Sequence, residues 1–190
     1  MASRTPRPCI VWFRDDLRLS DHPALHAASN TGAPVICLYV LDELATNARP
    51  LGGAARWWLS QSLRALRKSV EALGSPLVLR RGSAATVIAQ LARRAGASSV
   101  FWNEHAQAPH QAVADRVTVA LNEVGVAAQT FPGDLLVAST RIRSKDGRGL
   151  RVFTPFWKRV RSFGDPPKPL PALKALSPVP GIAGDALESW

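Results

Sequence analysis

Asp15 and Asp16 follow an apolar run, Cys9-Ile-Val-Trp-Phe13, and acidic residues behind a first strand invite comparison with a magnesium-dependent receiver domain. That chemistry needs a further aspartate at the end of the third strand. The third run ends in Leu79-Arg80-Arg81 instead, and two cations there neither coordinate magnesium nor accept phosphate. A dinucleotide site needs glycines in the first βα turn, so that backbone can approach a pyrophosphate. The turn Phe13-Arg-Asp-Asp-Leu-Arg-Leu-Ser20 has none. Gly52-Gly53 precedes a helical pattern whose N-terminus suits an anion, but a lone Gly-Gly is a weak signal and helix entry alone explains it. His22 and His26 are four residues apart beside Asp21, with no third ligand nearby, and read as surface or packing residues. His105 and His110 have no matching partners in the sequence, so no metal site is expected. No nucleophile elbow is present to support hydrolase chemistry. Cys9 and Cys37 lie in apolar runs and read as buried thiols of a reducing compartment.

The elements that must position these residues follow from periodicity. Apolar runs at Cys9–Phe13, Val35–Leu41, Leu77–Leu79, Ser99–Trp102 and Val126–Phe131 are continuous, as in strands buried on both faces of a parallel sheet. Helical patterns separate them. In Ala54–Leu73 the residues Leu59, Leu63, Leu66, Val70 and Leu73 form one stripe, and Gly74 ends it. Ser83–Arg94 and Pro109–Val124 follow, closed by Gly96 and Gly125. A shorter helix starts with Asp21 as its cap and Pro23 in its first turn. Alternation of this kind predicts an α/β fold, a doubly wound five-stranded parallel sheet with right-handed crossovers. Ligands of such sheets bind beyond the strand carboxyl ends, where the strand order switches. With the first strand central, the ligand wall is Phe13–Asp16, Leu41–Glu43 and Trp102–His105. Trp12 and Trp102 end neighbouring strands there, placed either for core packing or to flank a flat chromophore.

Charge is uneven. The net charge is +10, and residues 141–161 hold Arg141, Arg143, Lys145, Arg148, Arg151, Lys158, Arg159 and Arg161 against Asp146 alone. Such a segment serves as a solvated surface, a seat for an acidic neighbouring domain, or a contact for DNA phosphates. Lys145-Asp-Gly-Arg148 carries a turn signal. Residues 164–181 hold six of the fifteen prolines, which predicts a semi-rigid linker outside the core. The expected division is a core over 1–135, a basic segment completing it over 136–163, and a Pro-rich C-terminal linker over 164–190. A linker so near the last residue suggests a larger protein cut at a domain boundary. The longest apolar run is far short of a bilayer span, and Arg4 and Arg7 are not followed by a signal-peptide core, so a cytoplasmic monomer with no membrane partner is expected.

Three stretches, in order, then carry a resemblance. Trp12-Phe-Arg-Asp-Asp-Leu-Arg-Leu-Ser-Asp-His-Pro-Ala-Leu25 closely resembles the opening signature of DNA photolyases and cryptochromes. Ala55-Arg-Trp-Trp-Leu-Ser-Gln-Ser-Leu63 is similar to the family's second helix, and Val152-Phe-Thr-Pro-Phe-Trp-Lys158 to its segment before the interdomain linker. The resemblance implies the N-terminal α/β antenna domain. In intact members this domain holds a folate, deazaflavin or flavin chromophore and passes excitation to FAD in a following helical domain. There, photoreduced FAD donates an electron to a pyrimidine dimer in DNA. The implied partners are therefore its own C-terminal FAD domain and, through the intact protein, DNA. These residues alone are not expected to be catalytic.

The resemblance places Trp12, Phe13, Arg14, Tyr39, Leu41, Asp42, Arg56, Trp102 and Asn103 at the antenna pocket. Arg14 is either a hook for a ring carbonyl or phosphate, or a salt-bridge partner of Asp16 or Asp42. Folate-binding members carry an Asn-Glu pair where this sequence has Pro109-His110, and Glu104-His-Ala-Gln-Ala108 replaces their usual tyrosine and Glu-Pro. The departure favours a deazaflavin or FMN over methenyltetrahydrofolate, or an empty pocket. A cryptochrome photoreceptor is the alternative to a repair enzyme. A stand-alone nucleotide-binding α/β protein is a second alternative, for which the sequence lacks a late glycine-rich phosphate loop.

Overall fold

The computed structural model describes residues 6–43, 51–144 and 146–187, so Arg4, Lys145 and Trp190 lie outside the described residues. Five strands, β1 (Cys9–Phe13), β2 (Val35–Leu41), β3 (Leu77–Arg81), β4 (Ser99–Asn103) and β5 (Ala127–Phe131), alternate with helices α1 (Pro23–Asn30), α2 (Gly53–Ala72), α3 (Ala84–Ala95) and α4 (Ala108–Glu123). All pairings are parallel, in the order β3-β2-β1-β4-β5. The order reverses between β1 and β4, as the doubly wound reading requires.

The pleat of β1 divides the core in two. Cys9, Val11 and Phe13 pack with Ala24, Leu25, Leu63, Leu66 and Val70 of α1 and α2. Ile10 and Trp12 pack with Ile88, Leu91, Val113, Val117 and Leu121 of α3 and α4. Side chains alternate between faces along a strand, so the two apolar layers follow directly from an unbroken apolar run. The fifth run departs from this expectation. In β5 no residue is buried, and it is an edge strand with β4 as its one strand neighbour. Phe131 still stacks on Phe101 of β4, with centroids 6.1 Å apart.

The cap of α1 is His22 and not Asp21. His22 is extended and its Nδ1 accepts from the Leu25 N–H at 3.1 Å. Asp21 adopts a left-handed φ of 48°, and its carboxylate instead accepts from Leu170 N–H at 3.0 Å. The helix α5 (Phe153–Arg161) starts inside the aromatic stretch and buries none of its residues. The turn before it is closed by an antiparallel bridge between Arg143 and Gly149.

The proline-rich segment enters the core, against the sequence expectation. Leu176 and Leu187 are buried with the α1–α2 layer. Ser177 C=O accepts from Val35 N–H at 2.8 Å, and Leu79 C=O from Asp185 N–H at 2.8 Å. Asp185 also receives the Arg81 N–H at 3.1 Å and pairs with Arg80 at 3.3 Å. Prolines exclude regular pairing, but the apolar residues between them still bury favourably against the sheet. Among the described residues no helix is long and apolar enough to cross a membrane.

Candidate functional site

A cavity of about 380 Å³ opens beyond the carboxyl ends of β1 and β2 and is closed on one side by the start of α4. Its volume is in the range of small-ligand sites. Trp12 forms part of the wall and meets Trp102 edge to face at 5.8 Å, which fixes the indole plane from behind. Tyr39, Val40 and Leu41 supply the β2 side, and Pro109 and Val113 the α4 side. Burial first, and then the Asp15 charge, push the Tyr39 hydroxyl up, so it stays a neutral donor or acceptor at the wall.

Arg14 is the polar feature of this wall. It is only 8% exposed, its guanidinium lies 4.7 Å over the Trp12 ring, and one Nη donates to His110 C=O at 2.8 Å. The other, Nη1, is buried with no hydrogen-bond partner among the described residues. Burial lowers the Arg14 pKa, with Asp15, Asp16 and Asp134 acting in the opposite sense. The expected salt bridge to Asp16 or Asp42 is not present among the described residues. Asp16 accepts the Arg14 backbone N–H at 3.0 Å, and Asp42 accepts the Ala84 N–H at the start of α3 at 2.9 Å. Arg14 is thus a largely buried cation in the cavity wall, whose charge suits an electron-rich ligand oxygen.

Of the nine residues expected at the pocket, Trp12, Arg14, Tyr39, Leu41 and Asp42 line it. Phe13 points to the opposite face of the sheet, as the strand period demands beside an inward Trp12. Trp102 lies one layer behind the wall. Arg56 does not line the cavity but bonds two residues that do, pairing with Glu43 at 2.6 Å and donating to Leu51 C=O at 3.1 Å.

Asn103 belongs to a different polar cluster. Its amide donates to Asp16 Oδ2 at 2.6 Å, and its Oδ1 accepts from Ala24 N–H at 3.0 Å. Buried His22 places Nε2 3.0 Å from the same carboxylate oxygen. With Nδ1 accepting from Leu25, the imidazole proton belongs on Nε2. Burial alone would raise the Asp16 pKa. The His22 hydrogen bond, the Arg14 N–H and the Asn103 amide together outweigh it and hold the carboxyl at about 2. This cluster locks the β1–α1 loop to β4 and thereby fixes Arg14.

A third group was not legible from the sequence. Asp15, His105 and His110 meet at the cavity mouth, with His105 Nε2 3.1 Å and His110 Nδ1 3.6 Å from Asp15 Oδ2. The two imidazoles stack at 4.1 Å. The signal is the adjacency of β1 and β4, which brings residues just past both strands together.

A wider groove of about 930 Å³ runs between the β1–α1 loop and α2, lined by Arg18, Trp58, Leu59 and Leu66. Only Tyr39 of the expected residues borders it. Trp57 and Trp58 are 61% and 68% exposed, so neither packs inward.

Comparison with known proteins agrees with this geometry. Over 184 residues the chain is 39% identical to a deoxyribodipyrimidine photo-lyase of Agrobacterium fabrum, covering 96% of this chain and 38% of that protein. It is 37% identical over 179 residues to cryptochrome-1 of Arabidopsis thaliana, covering 93% of this chain and 25% of the relative. The crystal structure of a class III photolyase from Agrobacterium tumefaciens superposes with a TM-score of 0.92 at 37% identity, over 100% of this chain and 39% of that one. The chain thus spans well under half the length of these relatives. The family model for DNA photolyase matches residues 9–174. That span takes in the reversed sheet, the cavity at its switch point and the locked loop behind Arg14, and on this evidence the chain belongs to the DNA photolyase family.

Proposed function

We propose that this chain is the antenna-chromophore domain of a deoxyribodipyrimidine photolyase, with a flat aromatic chromophore in the cavity at the β1–β4 switch. The observation that carries the reading is Arg14, a buried cation in the cavity wall whose guanidinium lies over the Trp12 indole. An indole face and a fixed cation suit a ring carrying carbonyl oxygens, and members of the family bind flavin or folate chromophores. Deazaflavin or FMN is favoured over methenyltetrahydrofolate, because Pro109-His110 stands where folate-binding members carry an Asn-Glu pair. When bound, the chromophore absorbs light and passes the excitation on. The residues of this chain bind it, orient it and exclude water from it.

In the whole protein, light-driven repair of pyrimidine dimers belongs to FAD in a further domain, consistent with the share of the relatives that this chain covers. The 37% identity to cryptochrome-1 supports a photoreceptor as the second reading. Equilibrium dialysis of this chain against FMN, a deazaflavin and methenyltetrahydrofolate tests the first claim. Saturable, one-to-one retention of a flavin or deazaflavin is expected, and selective folate retention overturns the assignment. Blue-light repair of a thymine-dimer oligonucleotide by the full-length protein separates the enzyme from the photoreceptor.

A further inference from the structure

Asp15, His105 and His110 are the only described residues whose carboxylate and imidazole donors cluster closely enough to share one ion; all three donor atoms lie within 4.8 Å of one another. From this geometry we infer a divalent transition-metal site of the zinc class at the mouth of the cavity. Its three donors line the same cavity as the proposed chromophore.

Tetrahedral zinc with bonds of about 2.0–2.1 Å sets its donor atoms about 3.3 Å apart. The distances from Asp15 Oδ2 are 3.1 Å to His105 Nε2 and 3.6 Å to His110 Nδ1. Two imidazoles and one carboxylate are a donor set that zinc accepts, with the fourth position left for water or a ligand oxygen. The outer shell is present as well. Asp134 Oδ2 lies 3.5 Å from His105 Nδ1, on the side of the ring away from Asp15. At present His105 Nδ1 accepts from the Gln107 N–H at 3.3 Å, so the ring proton sits on Nε2 and faces Asp15. Metal binding transfers that ring to its other tautomer, with the proton on Nδ1 donated to Asp134 and the Nε2 lone pair given to the ion. The stacked rings lie 12° from parallel, so one must swing for both lone pairs to converge. Arg14 is the opposing charge behind the site, and the carboxylates of Asp15 and Asp134 outnumber it.

Cobalt(II) titration of the metal-free chain tests the inference. One equivalent should produce the intense visible bands of tetrahedral cobalt, and zinc should displace them. His105→Ala and His110→Ala should each abolish the bands. Asp134→Asn should weaken binding about 10–100-fold. His26→Ala, on α1, should leave the titration unchanged. His105 and His110 are only partly buried, and far-UV circular dichroism confirms that the variants fold. Pale octahedral cobalt in the unmutated chain, or full bands in His105→Ala, overturns the site.

Discussion

Replacing Asp16 with asparagine keeps the side-chain shape and removes the charge on which His22, Asn103 and the Arg14 N–H converge. The fall of the Asp16 carboxyl from its ordinary 3.8 to about 2 corresponds to about 2.5 kcal/mol of stability at neutral pH. An asparagine NH2 also turns a donor either toward Asn103 Nδ2 and His22 Nε2 or toward the Arg14 N–H, leaving a buried donor without an acceptor, which adds about 1 kcal/mol or more. Asp16→Asn should therefore lose about 3 kcal/mol, a large share of the 5–15 kcal/mol typical of a domain. The native value lies below the unfolded one, so the unfolded chain takes up the proton first as pH falls. The charge contribution is complete above about pH 5 and disappears as pH falls through about 2. Urea unfolding followed by tryptophan fluorescence, at neutral pH and at steps down to about pH 3, measures the gap between the two proteins. It should narrow steadily below about pH 4. A gap under about 0.5 kcal/mol at neutral pH, or one that does not change with pH, refutes the assignment of Asp16 as the anchor of this loop.

Cys37 is pushed up to about 12, first by burial and then by neighbouring Cys9, whose own thiol is raised by burial. Neither should react with Ellman's reagent in the native protein, and both should react in urea. Gly133→Ala would drive a Cβ into the Cβ of Asn103, forcing the backbone away from the polar cluster. A loss of about 1–3 kcal/mol is expected in the same urea assay. Leu176→Ala removes a buried side chain from the α1–α2 layer and should cost about 2–4 kcal/mol. A segment acting only as a linker would show no change.

The sheet was legible because β1, β2 and β4 are wholly buried and their apolar runs are unbroken. The site was legible only in part. Arg14, Leu41 and Asp42 could be placed from the rule that ligands sit beyond the strand ends, but the same rule swept in Phe13, which the pleat turns away. Asn103 shares the end of β4 with Trp102 yet faces α1, where its two hydrogen bonds are used up in fixing the loop. His105 and His110 showed no partner because Asp15 is remote in sequence and meets them only through the β1–β4 pairing. The buried role of Leu176 and Leu187 was hidden by the prolines around them, which signal irregular backbone but say nothing about burial.

Quenching of tryptophan fluorescence during FMN titration, in the unmutated chain and in Arg14→Met, tests the chromophore cavity most directly. Trp12 lines the cavity and Trp102 lies against it, so bound flavin should quench both in a saturable one-to-one transition. A hydrogen bond from the charged guanidinium contributes about 1.5–3 kcal/mol, so losing it should weaken binding roughly 10–100-fold. The absence of saturable quenching, or equal affinity in Arg14→Met, would contradict the placement of the chromophore against Arg14.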